Sequence, residues 1–280
     1  MRRIPRKIVA ATTVGVLALA RLRNARRRGA VKSIATFTTA DGKPRVVTLG
    51  RGRFVRIWDA DSGRRLRRLP MSGASVHLAT FVSSTGSPRL AVLTADQEIH
   101  VWDPVAGNQI DELRVAEADM GSRLVAWNTT SGHPRIAVTC GDAGIRIIDP
   151  EAGTQDGLVL MGHEVAVVDL ATWFTPGGQP RLASSGDGVT LLWDPETGRN
   201  LGQLTGPDEW LNSITAHTSP ERTLLVVIDE AGGYTLWDPQ AEQKVASYRL
   251  PSGLEPGLGI SLPGLRIATG HGDGTVWVTD

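Results

Sequence analysis

A single cysteine, Cys140, in 280 residues excludes an internal disulfide framework. That fits a reducing compartment, and a cytoplasmic location is expected. Long apolar runs are also missing: the longest, Ile8 to Ala20, has 13 residues, too few to span a bilayer. Lysine is scarce, 4 against 26 arginines, a bias of high-GC bacterial genomes rather than a functional signal. No amphipathic helical pattern of 10 to 15 residues separates the strand-like runs. The six histidines (His77, His100, His133, His163, His217, His271) show no metal-ligand spacing, and Cys140 is near none of them in sequence. Gly186-Asp187-Gly188 is flanked by strand-like runs, whereas a phosphate loop opens a helix. Ser184-Ser185-Gly186 lacks the Gly-x-Ser-x-Gly of a nucleophile elbow. No catalytic residue, cofactor or metal is therefore expected.

What the chain does contain is a repeat. Trp58-Asp59, Trp102-Asp103, Ile148-Asp149, Trp193-Asp194 and Trp237-Asp238 recur at spacings of 44, 46, 45 and 44 residues. Trp277 is a decoy. Aligning the turn at Asp273-Gly274 puts Thr279-Asp280 in the sixth Trp-Asp slot, 42 residues after Trp237. An arginine precedes an apolar run in each copy (Arg45, Arg89, Arg135, Arg181, Arg222, Arg266), four times after a proline. The first strand carries a third marker, centred on Ala35, Ala79, Val125, Ala171, Thr215 and Gly259.

The clearest copy runs from Gly162 to Gly198 and reads as three strands, with a fourth just beyond at Leu201 to Leu204. Thr-Pro-Gly-Gly, Gly-Asp-Gly and Asp-Pro-Glu-Thr-Gly turns separate them, as hairpin chemistry demands. The second strands, Val46 to Leu49, Leu90 to Leu93 and Leu224 to Ile228, are unbroken apolar runs, the pattern of strands buried on both faces. A lone four-stranded sheet cannot bury both faces, whereas several packed around an axis can.

The period, the Trp-Asp ending, the single Gly162-His163 and the Asp-Gly turn resemble a WD40-repeat β-propeller of bacterial type, over roughly residues 30–280. The expected fold is all-β, with six repeats of about 44 residues forming six four-stranded blades, seven being the alternative. The units are 30–72, 73–118, 119–161, 162–206, 207–252 and 253–280. The resemblance implies a buried hydrogen-bonded set in each blade, complete here only at His163, Ser185, Asp187 and Trp193. Gly52 and Ala231 replace the turn Asp in two copies.

Charge is segregated. Residues 1–70 carry 19 basic and three acidic residues, against 11 and 26 in the remainder. The basic segment either packs against an acidic last blade or presents a face for nucleic acid or another anionic surface. Residues 1–29 admit three readings: a ring-closing strand at Ala18 to Arg23 that completes the last unit, a signal or membrane anchor at 8–20, or a disordered basic arm. The arginines directly after Ala20 oppose export.

The resemblance further implies a non-enzymatic scaffold that binds a protein or peptide, as a monomer, through the loop-rich face. Contact positions carried over from the family are Lys32, Met120, Ser122, Trp210 and Asn212 before the first strands. Arg51 and Glu230 lie before the turns. Trp210 and Arg51 are the leading anchors, since aromatic and arginine side chains dominate interface energetics.

Overall fold

The computed structural model describes residues 2–4, 8–10, 18–20, 31–50, 53–115, 118, 121–141, 143–152, 157–186, 188–205, 211–219, 222–229, 233–249, 256–262, 266–271 and 276–279. Among them there are strands and turns but no helix. β1 (Arg2–Ile4), β2 (Ile8–Ala10) and β3 (Ala18–Ala20) precede the repeats. The first sheet is β4 (Val31–Thr38), β5 (Pro44–Gly50), β6 (Phe54–Asp59) and β7 (Arg65–Pro70). The second is β8 (Ser75–Val82), β9 (Pro88–Thr94), β10 (Glu98–Asp103) and β11 (Asn108–Arg114). The third is β12 (Leu124–Asn128), β13 (Pro134–Thr139), β14 (Ile145–Ile148) and β15 (Val159–Leu160). The fourth is β16 (Asp169–Phe174), β17 (Pro180–Gly186), β18 (Val189–Trp193) and β19 (Asn200–Thr205). The fifth is β20 (Leu211–Thr218), β21 (Thr223–Asp229), β22 (Gly233–Asp238) and β23 (Gln243–Arg249). β24 (Pro256–Leu262), β25 (Arg266–His271) and β26 (Val276–Thr279) follow.

Five sheets are antiparallel meanders of four consecutive strands. The sixth has the order β1-β26-β25-β24, so its fourth strand comes from the start of the chain. That strand is Arg2–Ile4, with Arg3 opposite Trp277, and not the expected Ala18 to Arg23. Ala18–Ala20 pair instead with Ile8–Ala10 in a separate two-stranded sheet. Projecting the repeat backward located a fourth-strand slot, but pairing depends on which backbone edge reaches β26. Thr279 faces Ile267 across the last hairpin as Trp193 faces Leu182 in the fourth sheet.

Two markers legible separately in the sequence are one device in the structure. Prolines open β5, β9, β13 and β17, a position where a missing N–H is tolerated. The arginine after each reaches the Asp that ends the third strand. The separations are 2.8 Å for Arg45–Asp59, 3.6 Å for Arg89–Asp103, 2.6 Å for Arg135–Asp149 and 3.9 Å for Arg181–Asp194. The other oxygen of each Asp accepts amides of the next turn, from Val105 and Ala106, Glu151 and Ala152, and Glu196 and Thr197 in the second to fourth sheets. One carboxylate therefore closes a turn and ties it to the neighbouring strand.

The second strands are buried on both faces, as their apolar runs predict. Alternating side chains serve the two neighbouring sheets. Val47 and Leu49 meet Leu78, Leu90 and Val92 between the first and second sheets. Ala91 and Leu93 meet Leu124, Ile136 and Val138 between the second and third. Comparable cores join the third to the fourth sheet and the fourth to the fifth.

The polar set around Trp193 differs from expectation by one residue. Trp193 Nε1 donates to Ser184 Oγ at 2.8 Å, and Ser184 Oγ lies 2.7 Å from His163 Nε2. Ser184, not Ser185, is the hub. Successive strand residues point to opposite faces, so Ser185 faces away and bonds Thr190 Oγ1 at 2.9 Å. Asp187 lies outside the described residues. Thr48 plays the Ser184 part for Trp58, at 2.9 Å. The second sheet has Val92 at that point, two residues beyond the partner of its Trp, and Trp102 Nε1 is buried with no hydrogen-bond partner. In the fifth sheet Asp229, not position 231, caps the turn, accepting the Gly233 amide.

Ser184→Ala leaves the buried Trp193 N–H without an acceptor and is expected to cost about 1–3 kcal/mol. Ser185→Ala, which removes only the bond to Thr190, should cost measurably less. Denaturant unfolding of the two variants checks the order, and equal losses would return Ser185 to the set.

Candidate functional site

The two ends of the sheets are built differently. At the end where each first strand begins, β4, β8 and β20 shift register at Val31/Ser33, Ser75/His77 and Leu211/Ser213. The residue after each shift turns toward a neighbouring sheet, the next one for Ser33 and His77 and the preceding one for Ser213. Leu78 N donates to Ser33 Oγ at 3.3 Å. His77 Nδ1 sits over the Leu124 peptide, 3.3 Å from its amide nitrogen and 3.1 Å from its carbonyl oxygen. Asp169 accepts from Ser213 Oγ at 2.9 Å and from Ile214 N at 3.0 Å. A row of polar side chains thus stitches the first strands of adjacent sheets together.

Electrostatics in this row follow from burial. Burial pushes the His77 imidazole down to about 4, helped by the neighbouring Arg123 and opposed by the Leu124 backbone. Burial raises the Asp169 carboxyl, against the pull of the Ile214 amide, Arg123, Ser213 and Leu170. His77 is consequently neutral at pH 7.

Three of the family-derived contact positions lie among the described residues, at this end, with uneven results. Lys32 is exposed at the first register shift. Ser122 is buried, 2% exposed, and so unavailable to a partner in this conformation. Asn212 occupies the register shift of β20. Arg51, Met120, Trp210 and Glu230 lie outside the described residues.

The opposite end carries the turns after the first and third strands, and there the repeat supplies an internal standard. Thr39, Ser83, Thr129 and Thr175 open equivalent turns, each hydroxyl accepting the amide four residues on. The next residue faces the neighbouring sheet. Ser84 N donates to Glu151 at 3.0 Å, joining the second sheet to the third. Thr130 N donates to Glu196 at 2.9 Å, joining the third to the fourth. Each glutamate is the second residue after the turn-capping Asp. Between the first and second sheets the equivalent pair is Ala40 and Val105, and valine has no acceptor to offer.

Where that clasp is missing, a cavity of about 570 Å³ opens. Phe37, Ile57, Leu66 and Val105 give it apolar walls, and Arg67 and Arg89 give it cationic ones. Leu66 and Val105 are 39% and 49% exposed, so apolar surface faces solvent here. Arg67 Nη2 donates to the Val105 carbonyl at 2.9 Å. Its guanidinium lies across Gly107, whose φ is +84° and where a Cβ would stand 2.5 Å from Nη1. Glycine is required both for the turn and for the arginine. Asp41 and Asp103 also line it, and Arg89 is paired with Asp103, so the groove is that of a receptor for an apolar group with polar flanks.

Sequence reasoning pointed to the other end and missed this groove. The signal was present as a departure from the repeat: Val105 stands where two copies carry Glu. Among the described residues one group has metal-ligand character, Glu98, His100 and Glu112 on the outer hairpin of the second sheet. No helix of the described residues is long and apolar enough to cross a membrane. No family model matches this chain, and the search of curated proteins gives no match.

The row predicts an acid-sensitive stability. A folded-state value of about 4 against an ordinary 6.5 means that the stability owed to neutral His77 is complete above pH 6.5. It is lost as pH falls from there through 4, by about 3 kcal/mol. Asp169, raised by burial, acts in the opposite sense and loses stability as pH rises through its folded value. Unfolding free energies of the wild type and His77→Gln between pH 7 and pH 4 isolate the histidine. The wild-type curve should fall more steeply, and parallel curves would refute the assignment.

Proposed function

We propose that this chain is a six-bladed WD40-type β-propeller acting as a non-catalytic scaffold, and that it receives a protein segment in the groove between its first two sheets. The fold reading is supported by six four-stranded sheets at a repeat of about 44 residues, by the Trp193–Ser184–His163 set, and by β1 completing the last sheet. β2 lying beside both β4 and β24 is what a closed ring would bring about. The single observation that carries the binding role is the replacement of the glutamate by Val105, which leaves an apolar groove at the first seam, where the second and third seams are clasped. An inserted apolar side chain with a polar flank matches those walls. Lys32, exposed at the opposite end, marks a second candidate surface of the same scaffold, and Arg51 and Trp210 are the contact positions that the family resemblance adds to it.

A second reading, binding of nucleic acid or another polyanion, is favoured by the outer strands of the first sheet. Arg56 and Arg68 are cross-strand partners, Arg65 is close by, and none of the three is ion-paired to an acid among the described residues. Arg56 is pushed below its ordinary value by burial and then by Arg68 and Arg65. Arg68 stacks on Phe54, 3.2 Å from the ring centroid.

Capture on the immobilised full-length protein separates these readings. In nuclease-treated lysate at moderate salt, wild type should retain a partner that Val105→Glu retains at least tenfold less well, roughly 1.4 kcal/mol. The substitution offers Ala40 N–H the acceptor found at the next two seams. Retention that collapses with nuclease or salt would favour the arginine surface. Retention lost in Trp210→Ala but kept in Val105→Glu would move the contact from the groove to Trp210.

A further inference from the structure

The outer hairpin of the second sheet holds a histidine in an unusual setting. His100 on β10 is directly opposite Glu112 on β11, and Glu98 lies two residues before it on the same face. The imidazole is buried, at 4% exposure, although six of the seven β11 residues are open to solvent.

Two hydrogen bonds determine where its proton sits. Gln109 Nε2 donates to Glu112 Oε2 at 3.2 Å, and a carboxylate can only accept, so the Gln109 oxygen must point the other way. That oxygen, Oε1, lies 3.2 Å from His100 Nδ1, which therefore donates to it. The neutral ring then carries its lone pair on Nε2. This atom is buried without a hydrogen-bond partner and faces Glu98 Oε2 at 3.4 Å. The two acceptors repel, and a cation or a second proton between them relieves the conflict.

We propose that Glu98, His100 and Glu112 hold a divalent transition-metal ion. One ligand atom from each lies within 4.8 Å of the others. Bonds of about 2.0–2.2 Å in tetrahedral array put donor atoms roughly 3–3.6 Å apart, close to the 3.4 Å between Glu98 Oε2 and His100 Nε2. Glu112 Oε2 lies 3.5 Å from Nδ1, on the other side of the ring, so this half-exposed carboxylate joins the ion by turning about its own side chain. Neither carboxylate is ion-paired to a lysine or arginine among the described residues, so their charge is available. One imidazole nitrogen with two carboxylates suits zinc or manganese, whereas calcium and magnesium take all-oxygen sets and copper(I) takes thiolates. Gln109 is a positioning residue: its carbonyl orients the ring and presents the Nε2 lone pair, as carbonyl and carboxylate partners do for metal-bound histidines. The ion ties β10 to β11 at the outer edge of the second sheet.

Isothermal titration of chelator-stripped, untagged full-length protein with Zn²⁺ tests this, with thermal unfolding in parallel. Wild type should bind one equivalent saturably and unfold at higher temperature with the ion. Glu98→Gln should weaken binding at least tenfold, His100→Gln should abolish it, and Gln109→Ala should weaken it about tenfold or more. Glu98→Gln removes only charge from a partly exposed side chain, so it keeps the test informative if His100→Gln fails to fold. Absence of a saturable equivalent in wild type overturns the proposal. So does unchanged affinity in both Glu98→Gln and His100→Gln, which would assign the cluster to a protonated histidine between two carboxylates.

Discussion

Each of the first four units depends on one carboxylate, that of the Asp closing the third strand. One oxygen gathers the amides of the following turn, and the other faces the arginine that opens the second strand. Local and cross-strand geometry are thereby set by the same group. The turn must leave the third strand at a defined residue, and the second strand must start opposite it. Register follows, and register decides which apolar residues face which neighbour, because a shift of one residue would exchange the two faces of a strand. In the first and fourth units the Trp before that Asp then meets the hydroxyl two residues past its cross-strand partner, Trp58 with Thr48 and Trp193 with Ser184.

A stack of near-identical units makes departures informative, since each seam is a control for the others. The second and third seams are clasped by Glu151 and Glu196 on the amides of Ser84 and Thr130. The first seam has Ala40 and Val105, and a groove stands there. Arg67 takes over part of the bridging by bonding the Val105 carbonyl, so the sheets stay joined beneath an open surface. In a repeat scaffold the marker residues are committed to holding sheets together, which leaves binding to positions where the pattern lapses. The row of Ser33, His77 and Asp169 at the other end illustrates the committed kind.

The period, the strand count per unit, the burial of the second strands on both faces and the decoy status of Trp277 were all legible in the sequence. These follow from short-range chemistry: Pro and Gly in turns, alternation along strands, and spacing that repeats. The hydrogen-bonding serine was misread by one position because Ser184 and Ser185 are chemically the same and differ only in the face they occupy. Ser122 fitted a contact pattern by position, yet its burial depends on neighbours that no local pattern specifies. The closing strand was placed at Ala18 to Arg23 by spacing alone, whereas Arg2–Ile4 occupy the edge of β26.

The sequence by itself determined that this is an all-β chain of six similar units, because periodicity and turn chemistry act within a few residues of one another. Tertiary structure alone decided what the seams do. Ala40 and Val105 are 65 positions apart, and that they face each other across a gap while Ser84 meets Glu151 follows from sheet stacking. The same holds for the lone pair of His100, whose direction depends on Gln109 and Glu112 from the neighbouring strand. Binding surfaces and ligand sets are made of such long-range juxtapositions, and a linear pattern carries them only as lapses whose meaning the fold supplies.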